Sequence, residues 1–464
     1  MNSSTVLIIA EAFHPSNEIG ARRATALARY LAVCGIRVVV VSAFGGEPIE
    51  RGCELYPGVI AVPVARRGRR WVALLVTLKR KVLAPGKATP GTAKPAAGAE
   101  SQARPVSLGA RLRERYFQLV YFVDDYKRWT WHAARAAVRA GRQHGAALIL
   151  VSAPPHSSLF AGAWAARRLG IPYVADLRDP WSDFLADTHP NRRIELRLLR
   201  ALEGWVMRRA AAITSTGATA ARLLVGRDQS LAGRIHVIRN GYDGAIAPRL
   251  SHTGGRLSIL FAGVLYIRRN PYPLLSALER LLSRPEVDPS RIQVTFMGDK
   301  DGEFSGHSLQ HWLEGQRCAS VVRILPAQSA ERVAAEMAQA TVLLNFAQQQ
   351  PLHIPAKTYE HLASGREVLL ICEASCETAR LVAGMRGVIQ VDQSDHGALE
   401  AVLLDLYRRH VVAGTLDVPA EGDVRRFSRA LSNERFYEVL SRVATFPAPL
   451  GPSCGLGLEP SSPG

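Results

Sequence analysis

What most constrains this chain is a rhythm of short aliphatic runs alternating with amphipathic stretches, set out once before a break near residue 240 and once after it. In the first series the buried runs are Val6–Ala10, Arg37–Val41, Val59–Val64, Ala147–Val151, Tyr173–Asp176, Ala212–Ser215 and Ile235–Ile238. Helical spacing is read over Ala21–Cys34, His156–Leu169 and Arg197–Arg209. The segment Asn240–Arg256, rich in Gly, Asp, Pro and Ser, interrupts the pattern. The second series places strands at Ser258–Ala262, Gln293–Met297, Val322–Leu325, Thr341–Phe346, Val368–Cys372 and Val388–Val391. Strands separated by helices pair in parallel and are covered on both faces. The expectation is an α/β protein of two doubly wound, Rossmann-like domains, with ligands at the carboxyl ends of the strands.

Size agrees with this. A chain of 464 residues, 47% of them hydrophobic, exceeds one ordinary core. The pattern sets a first domain at 1–245, a second at 256–412, a helical segment at 413–445 and a disordered Pro/Gly/Ser-rich tail at 446–464. No apolar run reaches the roughly 18 residues that a spanning helix needs. The start, Met1-Asn2-Ser3-Ser4-Thr5-Val6, lacks a basic leader and reads as a first strand. The six cysteines are scattered, and only Cys372 and Cys376 are close. No disulfide framework or zinc site follows, and a reducing cytoplasm is the expected home.

The formal net charge is +18, and it is concentrated. Between Ala61 and Gly145 eighteen Lys or Arg face four acids, a local excess of +14. Such a block implies an anionic surface as partner, phospholipid or nucleic acid. Within it, Ala84–Pro105 reads as part of a basic flexible insertion spanning 66–115. Trp71, Leu74, Leu75, Leu78 and Val82 keep helical spacing among basic residues, the pattern of an interfacial amphipathic helix. A surface helix packed on its own domain is the alternative. The block lacks aromatics at regular pitch, which argues against nucleic acid.

Five segments carry candidate chemistry. Leu352 to Arg366 runs through Ile354 and Pro355 into a short helix bearing Lys357, Thr358 and Glu360. A helix start, a lysine and a carboxylate one turn on could hold a phosphate and a ribose diol; a capped surface helix with a chance Lys–Glu pair is the bland alternative. Phe261 to Pro271 leaves a strand through Gly263, carries Arg268 and Arg269, and enters a helix capped by Asn270. Two arginines there could clamp a diphosphate. In the first domain, Phe13 to Arg23 holds Asn17, Gly20 and Arg22 after the first strand, with one glycine and so no dinucleotide fingerprint. Val151 to Ser158 places His156 after another strand. Ala175 to Asp183 offers Asp179, whose neighbours lack the Asp-x-Asp metal spacing, so no metal is expected.

Taken together, the Ser-x-Pro-Pro-His turn at Ser152–His156, the Asp-Leu-Arg-Asp-Pro-Trp run at Asp176–Trp181, Gly241-Tyr242-Asp243, Tyr266 with Arg268-Arg269-Asn270-Pro271, and Ile354-Pro-Ala-Lys-Thr-Tyr-Glu360 resemble glycosyltransferase family 4. That resemblance implies a retaining transferase of the GT-B fold, its two domains facing a central cleft, independent of metal and cofactor. By the same resemblance, Gly263, Arg268, Arg269, Ile354, Lys357, Thr358 and Glu360 bind the nucleotide-sugar donor. His156, Arg268, Arg269 and Lys357 act in catalysis, and Asn17, Gly20, Arg22 and Asp179 face the acceptor. The family's paired glutamates are matched at Glu360 only, because the first falls at Leu352.

The function expected is transfer of a sugar from a UDP- or GDP-sugar to a lipid-linked or polysaccharide acceptor, at the cytoplasmic face of an anionic inner membrane. Two alternatives are a catalytically inactive, membrane-attached scaffold that binds sugar nucleotides and a sugar-nucleotide epimerase of the same fold. Nucleic acid is not an expected partner.

Overall fold

The computed structural model describes residues 5–16, 19–66, 123–189, 192–250, 254–298 and 308–446. The proposed interfacial helix at Trp71–Val82 and Asn17 lie outside them, as does nearly all of the 66–115 window. Two parallel-based sheets organise the rest. The first contains β1 (Thr5–Ala10), β2 (Arg37–Ser42), β3 (Glu54–Tyr56), β4 (Val59–Pro63), β5 (Ala146–Ala153), β6 (Tyr173–Leu177), β7 (Ala212–Ser215) and β8 (Ile235–Val237), in the order β3-β4-β2-β1-β5-β6-β7-β8. The second contains β9 (Leu257–Ala262), β10 (Ile292–Met297), β11 (Val322–Leu325), β12 (Val342–Phe346), β13 (Glu367–Ile371) and β14 (Val388–Val391), in the order β11-β10-β9-β12-β13-β14. Every pairing in the second sheet is parallel.

Full burial of strands such as β1, β12 and β13 is what a sheet clad on both faces requires, and it is why these strands read as unbroken apolar runs. The helix Tyr272–Leu281 turns Leu274, Leu275, Ala277, Leu278 and Leu281 into the second core. The chain divides into two compact units. One is Met1–Leu177 with Leu185–Ile213 and the end of the last helix; the other is Arg178–Phe184 with Thr214–Ser441.

Several elements were not anticipated, the helices Ser182–Thr188 and Ala218–Arg227 among them. The antiparallel edge strand β3 pairs with β4 and is only three residues long, too short for a periodicity signal. The helix Lys127–His144 lies inside the basic window, where charge hid it. Its inner face is small and apolar (Ala133, Ala134, Ala137, Ala140, Gly141), anchored by Trp129. A Cβ at Gly141 would lie 2.4 Å from Leu169 Cδ1, so this glycine lets the helix approach Ser158–Leu169.

Candidate active site

In each sheet the chain reverses its direction of growth between two neighbouring strands, the position at which open α/β sheets bind ligands. In the second sheet, β9 leads on to β10 and β11 on one side, and β12 leads on to β13 and β14 on the other. The switch point lies between β9 and β12. The loop after β9 carries Gly263, Arg268 and Arg269; the loop and helix after β12 carry Ile354, Lys357, Thr358 and Glu360.

These two segments are built against each other. A Cβ on Gly263 would sit 2.5 Å from Lys357 Nζ, so only glycine leaves the ammonium where it is. Gly263 N–H donates to Met297 O at 2.6 Å. The close approach continues beneath it, where a Cβ on Gly298 would be 2.0 Å from Gly263 O. Lys357 Nζ lies 5.8 Å from the centroid of the Phe261 ring. Burial, with help from the charge of Arg269 and opposed by Glu360, lowers the Lys357 pKa to about 8. A cation held this way gains from an incoming anion. Thr358 is buried, and its hydroxyl accepts from Asn345 Nδ2 at 2.9 Å, which fixes the helix start. His361, four residues after Lys357 in the same helix, is pushed down to about 3 by burial and by Lys357, so it stays neutral near pH 7.

The turn bearing the arginines is held by residues that no local pattern singles out. Gln348, fully buried, accepts from Asn270 N at 2.6 Å and donates Nε2 to Asn270 O at 3.0 Å. Gln350 Nε2 donates to Arg268 O at 3.3 Å. Gln349 has a positive φ of 53°, and its N–H is received by both oxygens of Glu373 at 3.1 and 3.0 Å. Three consecutive glutamines thus tie the β12 loop to the β9 loop and to Glu373. The only sequence signal was a polar Gln-Gln-Gln run after a buried strand.

The two arginines differ. Arg269 acts electrostatically on Lys357 and donates Nη1 to Val264 O at 3.3 Å. The Arg268 guanidinium lies 5.8 Å from the Phe184 ring centroid. Asn270 Oδ1 accepts from Tyr272 N at 3.0 Å; the helix begins at Tyr272 rather than Pro271. Likewise Pro355 precedes the helix Ala356–Leu362 instead of opening it. Leu352 is buried. The nearby acids serve as clamps on backbone: Glu373 as above, and Glu377, buried, on Ala218 N at 2.7 Å and Thr219 N at 3.2 Å.

The first sheet has its own switch point, between β1 and β5. Gly20 and the exposed Arg22 follow β1, within the helix Ile19–Val33, and the half-buried His156 follows β5. Arg23, the neighbour of Arg22, is the buried one. Its Nε and Nη2 meet both oxygens of Asp176 at 3.0–3.2 Å, and Ser152 Oγ donates to the same carboxylate at 3.2 Å. This pair crosses the carboxyl ends of the strands and fixes the floor there. Ser157 N–H, beside His156, donates to Asp124 Oδ2 at 2.7 Å. Asp179 lies 3.7 Å from His353 Nε2, within the second unit. Among the described residues, no group of three or more His, Cys, Asp or Glu is arranged to hold a metal.

Two parallel-sheet domains, each with one switch point, are the architecture of the GT-B class. Residues 88–245, about a third of the chain, match the model of Glycosyltransferase Family 4. The fold is of the GT-B type, and over residues 88–245 the sequence is similar to glycosyltransferase family 4. Solved structures with this fold include HepE of Anabaena in complex with UDP and glucose, at 14% identity and a TM-score of 0.55, covering 95% of this chain and 100% of that one. The α,α-trehalose 6-phosphate synthase of Burkholderia multivorans is similar at 14% identity and a TM-score of 0.56, with 95% and 97% covered. The lipopolysaccharide outer core galactosyltransferase WaaB aligns at 13% identity and 0.53, over 94% and 99%. No protein of curated function matches in sequence.

Proposed function

We propose that the chain transfers a hexose, with retention, from a UDP- or GDP-sugar to a lipid-linked or polysaccharide acceptor. The observation that carries this reading is the Gly263–Lys357 contact at the switch point of the second sheet, where a half-buried ammonium with a depressed pKa awaits an anion. Lys357 and Arg269 receive the diphosphate, Arg268 supplements them, and Glu360 takes the ribose hydroxyls. Gly263, Ile354 and Thr358 shape the donor site. The UDP and glucose bound by HepE support this donor class.

Departure of the sugar leaves negative charge on the diphosphate. Fixed cations at that point stabilise the transition state more than the ground state, and neither a metal nor a cofactor is needed for that. Asn17, Gly20, Arg22, His156 and Asp179 are assigned to the acceptor side, on domain 1–245. Donor binding is assigned to 256–412. No described helix is long and apolar enough to cross a membrane, and we assign the protein to the cytoplasmic face of an anionic membrane by peripheral attachment.

The buried Leu352 favours one rival, an inactive scaffold that binds the nucleotide-sugar without transferring it. A thermal-shift panel of UDP-, GDP-, ADP- and dTDP-sugars tests the donor; a ligand at ~100 times its Kd stabilises by about 2.7 kcal/mol. Release of nucleoside diphosphate in the presence of a lipid extract then separates transferase from scaffold. Stabilisation by none of the four sugars would overturn both readings.

A further inference from the structure

Three helices of the first unit carry surface chemistry that the donor and acceptor assignments leave unused. Lys127–His144 exposes Arg128, Trp131, Arg135, Arg139 and Arg142 along one stripe, at helical spacing. Ser158–Leu169 turns Phe160 and Trp164 outward, with Arg167 and Arg168 exposed at its end. Arg193–Arg209 presents Ile194, Leu198 and Trp205 to solvent, with relative exposures of 75%, 54% and 41%. Those residues fall four and seven apart, on one face of the helix, and Arg197, Arg200 and Arg208 are exposed with them.

Aromatic contacts join the three stripes. Trp131 packs on Trp164 with ring centroids 5.7 Å apart, and Phe160 stacks on Trp205 at 6.0 Å. Two arginines cover the rings, Arg209 at 3.9 Å from the Trp205 centroid and Arg168 at 5.0 Å from that of Trp164. The charge is almost wholly of one sign. The three helices expose eleven arginines. Their only acids are Glu203, which is buried, and Glu195, which lies 3.5 Å from Arg192.

We propose that this aromatic and arginine-bearing face of the first unit docks on an anionic lipid bilayer, with Ile194, Leu198 and Trp205 entering the headgroup layer. Each component fits that occupant. Tryptophan is at home where one edge is apolar and the other wet. Arginine attracts anionic headgroups, roughly 1 kcal/mol apiece near the surface. Exposed aliphatic side chains gain from acyl chains and gain nothing from a phosphodiester backbone, which sets nucleic acid aside. The proposal rests on the membrane attachment assigned above but not on the transfer reaction. It moves the contact from the basic 66–115 window to folded helices.

The test is co-sedimentation of the full chain with vesicles of phosphatidylcholine alone or with 30% phosphatidylglycerol, at low and high salt. Two variants are compared, Ile194→Ser/Leu198→Ser/Trp205→Ser and Arg135→Gln/Arg139→Gln/Arg197→Gln/Arg200→Gln. A melting curve and UDP-sugar binding report on their folding. The apolar variant should bind at least tenfold more weakly while keeping its salt dependence. The arginine variant should bind at least tenfold more weakly with a flatter salt dependence. If both folded variants bind as the wild type does, this surface is overturned and the membrane assignment stands. If the wild type ignores anionic vesicles at low salt, both fall, leaving the donor reading untouched. Tighter binding to a duplex oligonucleotide than to the vesicles, unaffected by the apolar variant, would make the face a nucleic-acid site and overturn the proposal.

Discussion

Replacing Lys357 by methionine keeps most of the length of the side chain and removes its charge, which separates binding from folding in a single change. The folded pKa of about 8 against an ordinary 10.5 corresponds to ~3 kcal/mol of disfavoured charge. Part of that is screened by solvent at the mouth of the site. An incoming diphosphate would restore the favourable environment with charged hydrogen bonds, so the loss on substitution is roughly 1.5–3 kcal/mol. In affinity this is about 10- to 100-fold. Stability should move the other way or not at all, because the mutant no longer buries an ammonium beside Arg269. The pH dependence has a definite sign. Between pH 8 and 10.5 the unfolded chain holds the lysine proton that the folded chain has released, so wild-type stability gains a rising contribution across that window. The mutant lacks it. Donor affinity in the wild type falls as pH rises above about 8, since binding then takes up a proton; in the mutant that fall is absent. Calorimetric titration of the donor at pH 7 and pH 9, alongside thermal melts, reads all of these. A well-folded Lys357→Met with wild-type donor affinity refutes the reasoning.

Further outcomes follow from the same geometry. Glu360→Ala should weaken donor binding at least tenfold by titration, from the loss of charged hydrogen bonds worth roughly 1.5–3 kcal/mol. Gly298→Ala sets a methyl 2.0 Å from Gly263 O; the backbone must shift, costing about 1–3 kcal/mol, and both melting temperature and donor affinity should drop. Gln348→Ala strips the buried partner from Asn270 N and O, and should lower turnover more than it lowers the melting temperature. Loss of both in equal measure would make the glutamine merely structural.

The sequence disclosed the sheets because parallel strands buried on both faces are unbroken apolar runs. The strands at Ala212–Ser215, Val322–Leu325 and Val388–Val391 appear with the bounds expected of them. It could not disclose the strand order, which depends on where the chain reverses, and so could not say that the loops after β9 and β12 are neighbours. Helix Lys127–His144 was obscured because its buried face is alanine, which adds little hydrophobic periodicity beside five exposed or half-exposed cations. Gly263 was legible as a glycine at a strand end, whereas Gly298, Gln348 and Gln350 were not. Their roles come from residues 35 to 82 positions away. Arg23 illustrates the same point: beside Arg22 it has no distinguishing sequence feature, yet it is the one that closes on Asp176, 153 residues on. Ionic partners across a parallel sheet are set by topology, and no local pattern records them.

The most direct test of the central claim, that the switch point between β9 and β12 binds the nucleoside diphosphate, is amide hydrogen exchange with and without saturating UDP or GDP. The account expects slowed exchange confined to the loop from Gly263 to Asn270 and to the segment from Gln348 to Glu360, with a roughly 10- to 100-fold higher ligand concentration needed for the same slowing in Lys357→Met. Protection centred instead on the loops after β1 and β5, with these two segments unchanged, would contradict it.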